Sequence, residues 1–257
     1  MKDLRFCVWS ITRLRPDPPG QNERYRIWTL GSGFFVAPHV FLTCHHVVNG
    51  VANPHEIGDK YQLVQCMAAN TLQVSPQFVP TLGAELHLFP EKDAAILQVP
   101  GEPRPYVALG YSDVAEGEEI GVAGYPLPKV ATAPDGSEQG FRFIYRVAKG
   151  VITSTIRQSL KPGPDPQTAD LQTIEVNFLF VPGNSGGPIF DAETGRVLAY
   201  VHGFIDSEIV QRLAATSAQN ISAGAPQTYV QALHAVYSIG IKIDAIKPEL
   251  ERFGATL

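Results

Sequence analysis

A serine hydroxyl is a weak nucleophile unless a base stands beside it and hydrogen-bond donors await the oxyanion it creates. Pro182-Gly183-Asn184-Ser185-Gly186-Gly187-Pro188 places one serine between glycines. Such glycines let the backbone turn tightly, so the N–H groups of Gly183 and Ser185 can aim at one point with no side chain blocking a substrate carbonyl. A plain surface turn is the alternative, and the position of the string within a series of β segments argues against it. The same residues also satisfy the G-x-S-x-G pattern of α/β-hydrolase esterases, for which Asp206 and His234 are nominal partners in chain order. That elbow must lead straight into a helix, whereas Gly186-Gly187-Pro188-Ile189-Phe190-Asp191 reads as strand then turn. Cys44-His45-His46 could suggest zinc, but no second Cys/His pair stands at ligand spacing, so neither a metal nor a cofactor is expected.

Most of the chain that must position this serine reads as short strands. Gly31–Pro38 runs into Val40–Thr43 as a hairpin, and Tyr61–Ala68, Glu85–Phe89 and Ala94–Val99 follow. Pro100-Gly101-Glu102-Pro103-Arg104-Pro105 is the best linker. A second series comprises Glu119–Ala123, Phe141–Val147, Gly150–Thr155, Leu171–Phe178, Pro188–Phe190 and Arg196–His202. Beyond it, Ser207–Thr216 and Pro226–Tyr237 are expected as helices flanking a small polar loop. Ser238–Ile243 is expected as a strand, and Asp244–Phe253 as a closing helix with Pro248 near its start and Gly254 at its stop. Two β units joined by a proline-rich crossover result, and the pattern does not decide barrel from sandwich.

The 257 residues carry 44% hydrophobic and 18% charged side chains, enough for a large core and too few charges for disorder. A net charge of −5 gives no reason to expect a nucleic-acid or anionic-membrane partner. Arg13 and Arg15 end the N-terminal apolar run short of signal-peptide length, and three cysteines are an odd, sparse set. A cytoplasmic location is therefore expected.

Gly183-Asn184-Ser185-Gly186-Gly187-Pro188 resembles the nucleophile signature of the trypsin/chymotrypsin superfamily, and its Asn form resembles the bacterial HtrA (Deg) branch. The family's Thr-x-x-His-Val and Asp-x-Ala-hydrophobic-hydrophobic motifs are matched by Thr43-Cys44-His45-His46-Val47 and Asp93-Ala94-Ala95-Ile96-Leu97, in the family's order. Gly31–Val36, Gly121–Pro126 and Ile239–Ile243 are similar to further family strands and turns, while 204–237 looks like an insertion. The resemblance implies an all-β chain of two six-stranded antiparallel barrels with a few short helices near the C-terminus. Residues 1–109 would carry His and Asp, and 110–257 would carry Ser.

It also implies a serine endopeptidase acting on protein or peptide through an acyl-enzyme. Ser185 would be the nucleophile and His46, preferred over His45 on motif spacing, the proton carrier. Asp93 would orient the imidazole, and the Gly183 and Ser185 amides would form the oxyanion hole. Leu179, His202, Gly203 and Gly240 would contact substrate. Leu179 in place of an acidic pocket base points to an apolar P1 residue, since an unpaired buried charge would be expensive there. Neutral Asn184 cannot pair with a freed N-terminal ammonium, so activation by N-terminal cleavage is not expected. Movement of 204–237 or an activating partner could align the amides instead. A non-catalytic interaction module on the same fold is the competing reading.

Overall fold

The computed structural model describes residues 4–16, 25–52, 60–66, 76–80, 85–110, 114–126, 129–132, 138–142, 144–160, 169–213 and 229–255. The chain opens with β1 (Val8–Pro16), which pairs antiparallel with both β2 (Tyr25–Ala37) and β4 (Lys60–Cys66). A strand covered on both faces needs no alternation. Accordingly Val8, Trp9, Ser10, Ile11 and Thr12 are all buried. The N-terminal apolar run is thus a core strand. After β3 (Val40–Thr43), α1 (His45–Ala52) leaves the sheet, and its first turn carries His46. The strands β5 (Pro76–Pro80), β6 (Glu85–Phe89) and β7 (Ala94–Gln98) complete a seven-stranded sheet in the order β5-β4-β1-β2-β3-β7-β6.

This sheet is open and corrects the expectation of a first barrel. Closure would require its edges β5 and β6 to pair with each other. Each has one neighbour instead, β4 and β7 respectively. Proline has no N–H to give a ladder and is confined to edges. Pro76 and Pro80 stand at both ends of β5, so its outer side is a poor partner.

The second half does close. β8 (Glu119–Gly124) is followed by a small ribbon of β9 (Lys129–Thr132) and β10 (Glu138–Arg142). Then come β11 (Arg146–Leu160), β12 (Ala169–Val176), β13 (Pro188–Asp191), β14 (Val197–Leu213) and β15 (Tyr229–Lys242). The six strands β11-β12-β15-β14-β13-β8 form a closed antiparallel barrel. β14 and β15 pair from Ala199↔Lys242 to Leu213↔Tyr229, so the stretches expected as helices extend a hairpin. Ile205, Ile209, Val210, Val230, Val236 and Tyr237 are residue types that favour strands, and pairing along the whole length overrides a helical spacing. Residues 214–228, including the expected polar loop, lie outside the described residues. The closing helix is realised as a 3-10 turn (Ile243–Ile246) leading into α2 (Lys247–Arg252).

Two buried clusters result. One is confined to the barrel and holds Ile120, Val122, Ile152, Ile174, Ile189 and Val201. The other runs from the open sheet into the barrel wall, joining Trp9, Phe35 and Phe41 to Tyr200, Ile241 and the C-terminal Ile246 and Leu250. Trp9–Phe35 and Phe35–Phe41 meet edge to face at 6.1 and 5.1 Å, as ring quadrupoles prefer. Each fully buried side chain of this size is worth roughly 1.5–3 kcal/mol. The chain end thereby returns to the open sheet and packs against the turn before β7.

Candidate active site

That turn fixes Asp93. A 3-10 turn over Pro90–Lys92 ends on Asp93 in the left-handed region (φ 45°, ψ 41°), with Asp93 N–H donating to Pro90 O at 3.1 Å. Non-glycine residues avoid this region, and aspartate tolerates it better than most. Neighbours hold it there. His45 N–H donates to Asp93 O at 3.1 Å, Tyr200 Oη–H donates to Lys92 O at 2.7 Å, and Lys92 pairs with Glu249 of α2.

The Asp93 carboxylate is 1% exposed, so its lone pairs need partners. Oδ1 accepts the backbone N–H of His46 at 3.0 Å. Oδ2 meets two imidazoles, His46 Nδ1 at 2.8 Å and His202 Nδ1 at 2.6 Å. Burial alone would raise this carboxyl, but the hydrogen bonds from His202 and His46 outweigh it and hold the group far below the ordinary carboxylate range. Both imidazoles must then carry their proton on Nδ1, which leaves each Nε2 free to take one.

Cys44 lies beneath the pair. Burial pushes its thiol up, the Asp93 charge adds to this, and the neutral Sγ–H donates to Val201 O at 3.1 Å. Cys44, His46 and Asp93 have donor atoms within 4.8 Å of one another, which invites a test for zinc. Tetrahedral ligands at about 2.0–2.1 Å sit about 3.3 Å apart. Contacts of 2.6 and 2.8 Å between Asp93 Oδ2 and the imidazoles are the spacing of proton bridges, not of ligands sharing an ion.

The serine loop is pinned from below. Val181–Asn184 forms a turn closed by Asn184 N–H donating to Val181 O at 3.0 Å, with Pro182 in second place and Gly183 third at φ 96°. Proline followed by a positive-φ glycine makes this a type II turn. Gly186, at φ 80°, runs against the open sheet, where an added Cβ would lie 2.3 Å from both Ser32 O and Thr43 Oγ1. Beneath both stands Ser32, fully buried on β2. Its Oγ–H donates to Gly183 O at 2.6 Å and accepts Tyr125 N–H at 2.9 Å. Its N–H donates to Ser185 O at 2.8 Å, while its O accepts Thr43 Oγ1–H at 2.7 Å. No local motif marks Ser32 as part of the site, because the partners of its hydroxyl lie 93 and 151 residues away.

Ser185, His46, Asp93 and His202 share a cleft of about 430 Å³ with Leu30, Phe180, Val181, Pro182, Gly183 and Gly203. Ser185 Oγ–H donates to His202 O at 3.5 Å.

The chain matches the profile described as "Trypsin-like peptidase domain" over residues 31–199, well over half its length. It belongs to the trypsin-like peptidases. A probable periplasmic serine endoprotease DegP-like of Ectopseudomonas mendocina (strain ymp) is 29% identical over 80% of this chain and 35% of its own length. A like-named protein of Marinomonas sp. (strain MWYL1) is 26% identical over 76% and 32%. The chain therefore spans about a third of the curated relatives it matches. Among solved structures, the Rv3671c protease of M. tuberculosis in its active form aligns with a TM-score of 0.56 at 20% identity, over 99% of this chain and 83% of that one. Deg5 aligns at 0.53 and 19% identity, over 96% and 91%. At that identity both likenesses speak for the fold alone.

As a trypsin-like peptidase, related to the HtrA/DegP branch, the chain is a serine-protease-like catalytic domain. The expected cytoplasmic location does not stand, because the matched relatives are named periplasmic. Sparse cysteines misled there. Cys7 and Cys44 are buried, which serves packing in either compartment. No helix among the described residues is long and apolar enough to cross a membrane. The α/β-hydrolase alternative fails on topology, since β13 rather than a helix follows Ser185.

The substrate contacts expected of a trypsin-like peptidase divide. His202 and Gly203 line the cleft, but Leu179 is 59% exposed and outside the lining, where Phe180 and Val181 stand instead. Gly240 also lies off the lining. It pairs with Ile174 and Val201 in the barrel, and an added Cβ would meet Ile189 Cδ1 at 2.2 Å. The bond from His202 to Asp93 had no local signal beyond the position of His202 on the strand expected beside substrate.

Proposed function

We propose that the chain is a serine endopeptidase. Ser185 Oγ attacks the scissile carbonyl, His46 Nε2 takes its proton and delivers it to the leaving amine, and water then hydrolyses the acyl-enzyme by the reverse route. Asp93 stays ionised, fixes the Nδ1–H tautomer of His46 and offsets the imidazolium charge. The observation that carries this reading is the two-point grip of Asp93 on the His46 backbone N–H and ring, at the wall of the cleft that holds Ser185. For attack, the serine hydroxyl swings from His202 O to His46 Nε2.

The Gly183 and Ser185 amides receive the oxyanion. Two observations support their readiness. The type II turn sets the Pro182–Gly183 peptide, and among the described residues neither amide is spent on a backbone acceptor. Readiness of this kind fits an enzyme that needs no N-terminal cleavage. Phe180, Val181, Pro182 and Leu30 give the cleft apolar walls, and Asp93, the one carboxylate among its described lining residues, is engaged by two histidines. An apolar P1 residue therefore suits it better than Lys or Arg. Residues 1–109 supply the histidine and aspartate and 110–257 the serine.

A fluorophosphonate probe should label the protein and fail on Ser185→Ala, and a peptide library should show cleavage after apolar residues. Labelling at a residue other than Ser185 would overturn the assignment. A folded protein that neither labels nor cleaves, but captures peptides, would establish the interaction-module reading instead.

A further inference from the structure

Asp93 is shared. One buried carboxylate oxygen receives two imidazoles, His46 from α1 and His202 from β14, whose rings stand edge to face with centroids 5.8 Å apart. The second imidazole is the shorter contact, and its side chain is half as exposed as the first, 19% against 40%. We propose that His202 is a positioning residue that competes with His46 for protons, so that Asp93 stabilises one imidazolium of the pair and His46 stays a usable base under mildly acidic conditions. This rests on the endopeptidase reading for its consequence in catalysis, and on the geometry alone for the competition.

The first proton added to the pair has two hosts, both hydrogen-bonded to the same anion. A proton on His202 Nε2 leaves His46 neutral and able to accept from Ser185. A second proton must join an imidazolium a few ångströms away with no further carboxylate to share, and so binds much less readily. Titration therefore belongs to the pair. Among the described side chains, the other charged or titratable groups near it do not supply a second anion, and His45, the neighbour of His46, carries no negative charge. Cys44 is a buried thiol whose acidity is suppressed, Tyr200 is a buried phenol likewise suppressed, and Lys92 is paired with Glu249 on the far side of the turn. With ring centroids 5.8 Å apart, two imidazolium charges would face each other at close range, which opposes a second proton.

His202→Asn keeps a donor for Asp93 but cannot titrate, and His202→Ala removes both. The readout is the position of the acid limb in the pH dependence of kcat/KM, not the height of the plateau. The limb should move to higher pH by about one unit in both variants and steepen, because His46 then receives every proton. A His202→Asn limb that superimposes on wild type overturns the proposal, whatever His202→Ala does to folding.

A second measurement needs no turnover. NMR titration of the imidazole resonances in full-length Ser185→Ala protein should give two macroscopic steps separated by at least about one unit, with both histidines responding to the first. Independent single-step titration of His46 and His202 would refute the competition. Absence of activity in the wild type with the two-step titration intact would instead fault the endopeptidase reading.

Discussion

Ser32→Ala removes one oxygen from a fully buried position, and the structure sets the size of the consequence. Gly183 O loses a donor at 2.6 Å and Tyr125 N–H loses an acceptor at 2.9 Å. Each bond contributes about 0.5–1.5 kcal/mol net, and a buried group left without a partner costs about 1–3 kcal/mol. Backbone shifts and water entry relieve part of that, so a loss of about 2–4 kcal/mol is expected. For a chain of this size that corresponds to a Tm lower by roughly 4–8 °C. Function should suffer separately. The Gly183 carbonyl is the anchor of the turn whose N–H is to meet the oxyanion, and outright loss of one such donor costs about 10²–10³ in kcat. Loosening the anchor should cost about 10- to 100-fold in kcat with little change in KM, since the cleft walls stay in place. Thermal unfolding by circular dichroism and steady-state peptide hydrolysis measure the two effects. A variant that melts within a degree of wild type and retains its kcat would refute the claim that Ser32 holds the serine loop.

Two further substitutions probe the neighbouring clamps. Asp93→Asn should lower kcat by roughly 10³–10⁴ while leaving fluorophosphonate labelling detectable but slow, because the imidazole loses its fixed tautomer. It should also change acid stability. The folded carboxyl lies far below the unfolded value of about 3.9, so its contribution is complete above that pH and drains away as pH falls below it. Wild-type Tm should therefore fall more steeply than that of Asp93→Asn below about pH 4. Gly186→Ala should cost more than about 3 kcal/mol and abolish hydrolysis, since left-handed strain adds to a Cβ driven 2.3 Å from Ser32 O. Unchanged urea midpoints would show that the loop can retreat from the sheet.

What the sequence disclosed of this site was contiguous. The serine loop is legible because the tight turn needs glycine at fixed neighbours, and the segments bearing His46 and Asp93 are legible because each must abut a strand. The edges of the first sheet were not legible as edges. β5 offers only Pro76 and Pro80 as a hint, and closure depends on where β6 ends up relative to it. The β14–β15 hairpin was misread for a related reason. A helical spacing of apolar residues is also a set of β-branched and aromatic ones, and only the partner strand decides between them. Ser32 was invisible as a site builder, and His202 was expected beside substrate but not as a partner of Asp93, because serine and histidine on strands announce no distant partner locally. Their partners lie 151 and 109 residues away.

Those distant partners share a property that explains why an open sheet can serve where a barrel was expected. Many of the bonds that shape the site also fasten the sheet to the barrel. Ser32 grips Gly183, Ser185 and Tyr125, and Cys44 donates to Val201. His202 reaches Asp93, while Tyr200 and Glu249 hold the Lys92 turn. The free edges β5 and β6 lie at the outer limits of the sheet order, whereas these contacts spring from β2, from the end of β3 and from the turn that leads from β6 into β7. Barrel closure would add partners to the outer sides of β5 and β6, which make none of these contacts. The stiffness the serine loop needs comes from across the interface, and so the site cannot come apart without the sheet parting from the barrel.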